Sequence, residues 1–553
     1  MNFSDRPVQA TRDVLRCAAP VGPFALRIGP DRFARYHPSK NNHEGEMPVP
    51  IIDLFAGPGG LGEGFASLRS KGKPVFRIGL SVEKDPIAHK TLTLRAVFRA
   101  LRGTPSIRHY YDYIAGRVSE DQFKRAPGVA DAFTHALAEA RCLELGNTDA
   151  IKLDVEIKAA LAGASVWVLI GGPPCQAYSL AGRSRRAKDK TFSKDEKHFL
   201  YMEYLRIIQQ HRPTVFVMEN VKGLLSSSHS GDPMFAKILA DLSNPRAGLE
   251  YEIRSFVKKG HGDGLIPYDY VIEAERYGIP QSRHRVILLG VRKDLASFKQ
   301  PLMAPQTSRV SVRQAIGSLP RIRSRLSRTD DSAELWQAAL LNSSARVKGW
   351  EGDVSQITDK MDKAAAEAQS IKSVGAAFMK ARRNAARTGG ALGEWVTDKR
   401  IGGICQHESR AHMASDLARY LFAASFAKAH KHSPRLHIYP PLLVPNHKNA
   451  KSADGGTLPF LDRFRVQCAH EPATTVVSHI AKDGHYYIHY DPNQCRSLTV
   501  REAARLQTFP DNYYFEGNRT QQYSQVGNAV PPLLARQLAK VVAALMKKVT
   551  GTE

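Results

Sequence analysis

One apolar run in this chain ends at a sequence that no sheet can continue. Residues 166–170 are Val-Trp-Val-Leu-Ile, and Gly-Gly-Pro-Pro-Cys-Gln follows at 171–176. Because two prolines supply no backbone donors, the predicted strand must stop there and the chain must turn out of the fold. The turn places Cys175 at the carboxyl end of a strand, where open α/β sheets bind ligands. These residues alone leave two interpretations equally open, a reactive thiol and a small buried side chain.

A strand followed by a glycine-rich turn near the amino end predicts a second part of the site. Residues 49–54 are largely apolar, Phe-Ala-Gly-Pro-Gly-Gly follows at 55–60, and residues 61–70 can begin a helix. Glycines let the backbone approach a ligand, and a helix N-terminus favours negative groups. A predicted strand at 75–82 ends at Glu83, whose carboxylate suits ribose hydroxyls. The turn is neither G-x-G-x-x-G nor a P-loop, but the turn and the acid together indicate a nucleoside cofactor.

Charged side chains adjoin two further predicted strands. A strand at 214–218 leads into Glu219, which we expect in the same pocket as the thiol. Arg283 and Arg285 stand two residues apart just before a strand at 286–290. Side chains two apart in extended chain point to one side, so the pair suits one anion or one polar edge.

The stretch between these motifs is less regular. Residues 91–148 are helix-prone and basic and resemble an insertion into an α/β domain. Asp154 follows a strand-like stretch at 150–153 and is a candidate partner for an exocyclic amine. A solvated loop acid explains Asp154 almost as well.

The charge balance points to a polyanionic partner. The 553 residues carry 79 Lys and Arg against 53 Asp and Glu, a net charge of +26, and nucleic acid is the first candidate. Residues 281–330 hold eleven Lys or Arg against two Asp, as a nucleic-acid groove requires. Residues 179–197 hold seven Lys or Arg against three Asp or Glu. This composition predicts either a mobile loop that closes over phosphates or a solvated loop.

The same composition argues against several other classes of protein. Six cysteines without a Cys-x-x-Cys pair argue against a zinc ribbon and a disulfide scaffold and fit a reducing cytosol. The N-terminus lacks the apolar core of a signal peptide. No apolar run approaches the roughly 20 residues that span a bilayer. We therefore expect a cytoplasmic protein without a metal or a membrane anchor.

The chain divides into four predicted segments. These are an N-terminal extension (1–47), a catalytic domain (48–310), a separate module (311–495) and a C-terminal segment that returns to the catalytic domain (496–553). The module includes a predicted helical part at 361–387. In the last segment Thr499 and Glu502 predict a helix with a capping box, and an apolar helix follows at 533–546.

Together these motifs resemble the DNA cytosine-5 methyltransferase family of bacterial restriction-modification type, in the family's order over residues 49–548. The matching motifs are Asp-Leu-Phe-Ala-Gly-Pro-Gly-Gly (53–60), Gly-Pro-Pro-Cys-Gln (172–176), Glu-Asn-Val (219–221), Gln-x-Arg-x-Arg (281–285), Arg-Glu-Ala-Ala-Arg-Leu-Gln-Thr-Phe-Pro (501–510) and Gly-Asn-Ala-Val (527–530). The resemblance implies an α/β, Rossmann-like methyltransferase domain that depends on S-adenosylmethionine. It also implies a smaller, irregular target-recognition domain at 311–495.

The resemblance also implies roles for the catalytic residues. Cys175 would attack carbon 6 of a cytosine that has been flipped out of the duplex. A protonated Glu219 would neutralise charge at ring nitrogen 3, while Arg285, with Arg283 beside it, would hold the base carbonyl or a flanking phosphate. The group that removes the carbon 5 proton is not identified, and water is one candidate.

The cofactor contacts are implied in the same way. Phe55 would stack on the adenine, Glu83 would bind the ribose, and Asp154 would meet the adenine amine. Leu200 would form an apolar wall, and Asn528 would lie near the cofactor's amino-acid end. The remaining expected contacts are Ala56, Gly57, Gly59 and Ala529. The segment between Glu83 and Asp154 is longer than the family's usual one.

The expected substrate is double-stranded DNA, bound by a monomer that protects host DNA from a separately encoded restriction endonuclease. Two alternatives remain open, the same chemistry on transfer RNA and a non-catalytic DNA-binding relative. The recognition sequence does not follow from residues 331–470, which match no family pattern.

Overall fold

The computed structural model describes residues 47–174, 200–229, 232–295, 299–348, 355–380, 388–445, 463–482 and 484–550. From Pro48 onward the chain forms one compact unit. Cys175 and the predicted loop at 179–197 lie outside the described residues, as does nearly all of the N-terminal extension.

A central sheet of eight strands organises the described residues. The strands are β1 (Val49–Leu54), β2 (Phe76–Glu83), β3 (Ala140–Cys142), β4 (Val168–Gly171), β5 (Val215–Val221), β6 (Tyr251–Arg254), β7 (Val271–Glu273) and β8 (His284–Arg292). They run in the order β6-β8-β5-β4-β1-β2-β3, with β7 also paired to β8. Strands β1 to β5 are parallel to one another, and β8 is antiparallel to β5, β6 and β7.

Helices cover both faces of this sheet, and each face contributes to one large apolar cluster. That explains the near-continuous apolar runs of β1, β4 and β5, since a parallel sheet is buried on both faces. The helices of this half are α1 (Gly60–Ala66), α2 (Pro86–Leu101), α3 (Ile107–Ile114), α4 (Glu120–Arg125), α5 (Val129–Glu139), α6 (Ala150–Leu161), α7 (Leu200–His211) and α8 (Met234–Ser243). The predicted α/β, Rossmann-like class is confirmed.

Residues between 326 and 495 build an apolar core of their own. The elements of this part are α9 (Val312–Ile316), α10 (Ala333–Lys348), α11 (Ser355–Glu367), α12 (Gly390–Val396), α13 (Ala414–His430) and the antiparallel strands β9 (Gly375–Lys380) and β10 (Gly403–Glu408). The helices α14 (Val500–Leu506), α15 (Arg519–Asn528) and α16 (Pro532–Thr550) follow. A second core favours the predicted target-recognition module, whose boundaries stay a prediction.

Four short two-residue ladders also form. They pair Arg69–Ser70 with Lys73–Pro74, Ser228–His229 with Asp232–Pro233, Gln281–Ser282 with Ala473–Thr474, and Arg325–Leu326 with Ala411–His412. The third of these joins the start of β8 to the segment that returns from the module.

Two local expectations are wrong. Residues 150–153 form the first turn of α6, because Leu153, Ile157 and Leu161 recur with helical spacing and bury one face. The helical part expected at 361–387 ends at Glu367, after which β9 forms. The range of the predicted insertion, 91–148, contains most of α2 together with α3 to α5 and β3, and the insertion itself stays a prediction.

The stretch Arg519–Lys548 is long and apolar enough by composition to cross a membrane, and 72% of its apolar window is buried. In the structure this stretch contains most of α15 and α16. Leu534, Leu538 and Val542 of α16 pack in the cluster under the sheet. Its apolar character is therefore that of a core helix.

The predicted capping box is confirmed at α14. The Thr499 hydroxyl accepts from the Glu502 amide, and the Glu502 carboxylate accepts from the Thr499 amide. The same carboxylate accepts from both terminal nitrogens of Arg496, each at 2.7 Å. Both side chains are almost fully buried, at 0% and 1% exposure, so neither charge can be solvated if its partner is removed.

Replacing this buried acid should destabilise the protein strongly. Glu502→Gln leaves the Arg496 charge uncompensated, and we expect the free energy of unfolding to fall by about 3–5 kcal/mol in urea titrations. The matched control is Glu120→Gln, which breaks only an exposed pair with Lys124 and should cost less than about 1 kcal/mol. Equal losses in the two variants would contradict the role of burial.

Candidate active site

The antiparallel pairing of β5 with β8 brings an acid and an arginine together. Glu219 is opposite Ile287 in this register, and Arg285 is opposite Val221. The two charged residues are diagonal neighbours on one face, where long side chains meet. Arg285 Nε lies 3.0 Å from Glu219 Oε1, with both side chains less than 15% exposed. Burial lowers the pKa of the Arg285 guanidinium, and the Glu219 charge opposes that shift.

The acid of this pair lies against the segment that leads to Cys175. A Cβ built on Gly172 would lie 3.0 Å from Glu219 Oε2, so a larger residue there would press on the carboxylate. The amide nitrogen of Asn220 donates to the Pro173 carbonyl at 3.2 Å, and its oxygen accepts from the Val221 amide. The end of β5 therefore fixes the chain two residues before the predicted nucleophile.

The glycine turn after β1 is tied to the acid at the end of β2. Glu83 Oε2 accepts from the Gly57 amide and Oε1 from the Asp85 amide, each at 2.8 Å. Burial raises the pKa of Glu83, and these backbone donors oppose the rise. Phe55 has a φ of 56° and Gly57 a φ of 58°, a backbone region that non-glycine residues rarely adopt.

Open space lies over this turn. A Cβ built on Gly57 would meet nothing within 4 Å, while Phe55 packs half-buried against the cluster beneath. An aromatic ring, a carboxylate and an accessible glycine backbone fit the adenine, ribose and amino-acid parts of a nucleoside cofactor. The residues present therefore suit the group that the sequence predicts.

Residues distant in sequence also meet at this turn. The carbonyl of Val530 lies 2.3 Å, and Ala529 Cβ 3.3 Å, from a Cβ built on Gly60, so only glycine fits there. The Tyr513 hydroxyl donates to the Pro58 carbonyl. Asn528 is exposed at the end of α15. The structure thus brings Ala529 beside the glycine turn, and the contacts of Asn528 and Ala529 with a cofactor stay predictions.

Leu200 lies against the loop that follows β3, and its contact with a cofactor stays a prediction. Its side chain lies 3.5 Å from a Cβ built on Gly146, in the loop after β3. The same loop begins with a hydrogen bond from the Leu143 amide to the Glu83 carbonyl at 3.1 Å. Leu200 and this loop therefore lie on the Glu83 side of the turn.

Asp154 is the predicted cofactor residue that the structure places elsewhere. It lies in α6, and its carboxylate accepts from Arg206 at 3.0 and 3.1 Å and contacts His211 Nε2 at 2.8 Å. His211 ends α7, roughly 17 Å along the helix from Leu200 at 1.5 Å per residue. The carboxylate is therefore held by a helix-to-helix ion pair, toward the end of α7 that is far from the pocket.

Arg283 lies within the predicted catalytic group but holds backbone. Its guanidinium is buried, at 2% exposure, and donates to the Val476 carbonyl at 2.8 Å and the Gly527 carbonyl at 3.4 Å. Burial and the neighbouring Arg285 lower its pKa. In this structure Arg283 is a positioning residue, and its predicted contact with the base stays a prediction.

Sequence reasoning missed an acid beneath the glycine turn. Asp53 is fully buried at 0% exposure, beside Gly62 of α1. Burial raises its pKa to about 8, against the opposing charge of Arg99. The signal in the sequence is a single acid inside the apolar run Ile-Ile-Asp-Leu. A neutral Asp53 carboxyl keeps unpaired charge out of the core beneath the glycine turn.

The family model described as C-5 cytosine-specific DNA methylase matches residues 143–544. The chain belongs to this family. It is a DNA (cytosine-5)-methyltransferase, and the family implies S-adenosylmethionine as the cofactor and DNA as the substrate.

Curated relatives match almost the whole methyltransferase. The type II methyltransferase M.Bpa9945I of Bacillus paralicheniformis is 31% identical over 89% of this chain and 98% of its own length. The type II methyltransferase M.DdeI of Desulfomicrobium norvegicum is 26% identical over 89% of this chain and 88% of its own length.

A solved structure shares the fold. A prophage-encoded protein of E. coli that carries the name DNA modification methyltransferase superposes with a TM-score of 0.50 at 19% identity, over 90% of this chain and 99% of its own.

Asp53, the buried acid beneath the glycine turn, should make the methyltransferase lose stability as the pH rises. Unfolded, Asp53 ionises near 3.8, whereas folded it ionises near 8. The stability it contributes is therefore complete below about pH 4 and is lost progressively up to about pH 8, by an order of several kcal/mol at 1.36 kcal/mol per pKa unit.

Asp53→Asn removes this titration. Urea unfolding at pH 5 and pH 8 should show a smaller loss of stability with pH in the variant than in the parent protein. Parallel pH profiles for the two proteins would show that Asp53 is not neutral in the folded state.

Proposed function

We propose that this methyltransferase transfers a methyl group from S-adenosylmethionine to carbon 5 of a cytosine flipped out of a specific duplex DNA sequence, through a covalent bond from Cys175. One observation carries the proposal. The Glu219 carboxylate, held by Arg285, lies against Gly172, three residues before Cys175. This acid lies near the carboxyl end of β5, while the segment that leads to Cys175 follows β4 and the glycine turn follows β1. The carboxyl ends of these parallel strands share one edge of the sheet.

The chemistry explains why a thiol and an acid are needed together. Carbon 5 of cytosine is a poor nucleophile, and attack of the Cys175 thiolate on carbon 6 makes it enamine-like. The cofactor, when bound, would supply an electrophilic methyl group to carbon 5 and would leave as the neutral thioether. Carbon 5 then loses its proton to a base such as water, the bond from sulfur to carbon 6 breaks, and the thiolate leaves.

Glu219 is assigned as the group that stabilises the ring during attack. A proton held between this carboxyl and ring nitrogen 3 neutralises the charge that builds on the base. The ion pair with Arg285 fixes the carboxyl in orientation, and the Asn220 bond to Pro173 sets its position relative to the thiol-bearing segment. Both contacts hold reacting groups in one geometry before the substrate arrives.

The cofactor is assigned to the pocket over the glycine turn. Phe55 covers the adenine, Glu83 binds the ribose hydroxyls, and Leu200 provides an apolar wall. The other assigned residues are Ala56, Gly57, Gly59, Asn528 and Ala529. Asp154 is not included, because Arg206 and His211 occupy its carboxylate.

We further propose that the protein acts in the bacterial cytosol as a monomer and protects host DNA from a separate restriction endonuclease. The type II methyltransferase names of the relatives support this role, and the module with its own core supports recognition of a specific sequence. Methylation of transfer RNA is the alternative, and the size of this module disfavours it.

Removing the two assigned catalytic groups should have different effects. Cys175→Ala should abolish methyl transfer from labelled cofactor to duplex DNA, since no adduct at carbon 6 can form. Glu219→Gln should slow transfer at least about 100-fold and leave cofactor binding near normal. Single-turnover kinetics and equilibrium binding of the cofactor measure the two effects separately.

The chain offers matched controls for both changes. Cys142→Ala changes an exposed cysteine, and Glu250→Gln changes an exposed acid paired with Lys293. Both controls should retain activity within about twofold, as surface substitutions usually do. Methyl transfer by the Cys175→Ala protein would end the covalent proposal.

Substrate class is tested by competition. Duplex DNA should accept methyl groups and transfer RNA should not, and DNA affinity should fall about 10³-fold or more between 50 and 200 mM salt. Bisulfite sequencing of DNA from an expressing host reports the target atom and its sequence context together. Preferential methylation of transfer RNA would favour the alternative substrate.

A further inference from the structure

A second cleft, apart from the proposed active site, has a volume of about 870 Å³. Residues of α1, α2, α12 and α16 line it, together with the segment that follows β8. None of the residues assigned to the cofactor or the base belongs to its lining. Its volume lies within the range of about 300–1,000 Å³ that small-molecule sites occupy.

Two carboxylates in the lining of the cleft are each paired with an arginine of the same lining. Glu63 is held by Arg95, with nitrogen and oxygen 2.5 Å apart and both side chains buried. Asp398 is held by Arg400 at 2.9 Å. These pairs account for two of the three carboxylates that line the cleft, and the remaining one belongs to the exposed Glu394.

Four further cations line the same cleft, and none of them forms a salt bridge within the described part of the chain. They are Arg69, Arg102, Arg536 and Lys540. Burial lowers the pKa of Arg69, and the charge of Arg102 adds to that shift. With six cations against three carboxylates, the lining of the cleft carries an excess of positive charge.

Arg536 is the most constrained of these cations. Its guanidinium carbon lies 5.6 Å from the centre of the Trp395 ring, and Trp395 is itself fixed by a hydrogen bond to the Thr508 carbonyl at 2.7 Å. The Nε atom of Arg536 is buried and has no hydrogen-bond partner among the described residues. A buried, unpaired donor of a charged group costs free energy unless a ligand accepts from it.

We propose that this cleft binds a small polyanion with two or more phosphate groups, at a site separate from those for the methyl donor and the cytosine. Guanidinium groups pair with phosphate oxygens in a two-pronged geometry, and Arg102 and Arg536 supply two such groups. The Trp395 ring keeps the Arg536 guanidinium oriented. Bound phosphates satisfy the Arg536 donor and relieve the repulsion between Arg69 and Arg102.

The shape of the cleft favours a small ligand over DNA. A DNA duplex is wider than its major groove, which alone measures about 12 Å. It therefore cannot enter a cleft of about 870 Å³. A polyphosphate chain or the phosphate tail of a nucleotide fits it. The site is therefore assigned to a diffusible anion and not to the backbone of the DNA substrate.

Isothermal titration calorimetry with tripolyphosphate and with ATP, at constant ionic strength and without divalent metal, tests the proposal. The full-length protein should bind tripolyphosphate at one site, and ATP shows whether a nucleoside adds affinity. In the double variant Arg102→Gln/Arg536→Gln the affinity should fall about tenfold or more, because two charge-assisted contacts are lost. The control Arg108→Gln removes an exposed arginine of α3 outside the cleft and should leave the affinity unchanged.

Binding of S-adenosylmethionine, measured in parallel, should be the same in all three proteins and shows that each is folded. Absence of tripolyphosphate binding to the parent protein would overturn the proposal. So would equal affinity in the double variant, which would assign the anion to the DNA groove. If the double variant lost DNA affinity but bound tripolyphosphate as the parent protein does, the cleft would be a contact for the DNA backbone. That result would also overturn the proposal.

Discussion

The reversal of strand direction at β8 is the constraint on which the proposed site depends. In a parallel sheet the carboxyl ends of the strands share one edge, and Glu83 ends one such strand while the glycine turn and Gly172 follow two others. A residue at the start of a parallel strand would lie at the opposite edge. Because β8 runs antiparallel to β5, its first residues return to the shared edge. Arg285 therefore meets Glu219 from the neighbouring strand, although 66 positions separate them along the chain.

A buried polar network extends this arrangement to the C-terminal segment. Gln281, before β8, donates to the Leu506 carbonyl and to the side chain of Gln507, and accepts from the Val476 amide. Gln507 in turn donates to the Val526 carbonyl at 2.7 Å. Buried networks of this kind are costly unless every member is paired. The pairing explains why motifs without a reacting group accompany the catalytic ones. These motifs hold the C-terminal segment against the glycine turn.

Signals confined to a few adjacent residues predicted the structure well. Strand ends at glycine, proline or acid marked β1, β2, β4 and β5, and the capping box marked α14. The strand expected at 150–153, just before Asp154, is a helical turn, because four residues cannot separate a strand from the first turn of a helix and the periodicity that decides between them extends to Leu161. The partners of Arg283 could not be predicted either, because the carbonyls of Val476 and Gly527 lie 193 and 244 positions away along the chain. The core of the 326–495 module depends on contacts of the same long range.

The placement of arginines also changes what the net charge means. Arg501 is fully buried and donates to the carbonyls of Cys405, Pro510 and Tyr513, and Arg283 is held by carbonyls in the same way. Such residues add to the charge of +26 but direct guanidinium donors to backbone carbonyls of the protein itself. They link distant segments because one guanidinium carries five donors. The basic composition thus has two physical causes, a surface that attracts phosphate and an interior that uses arginine to satisfy backbone carbonyls, and only the first can contribute to the salt dependence of DNA binding.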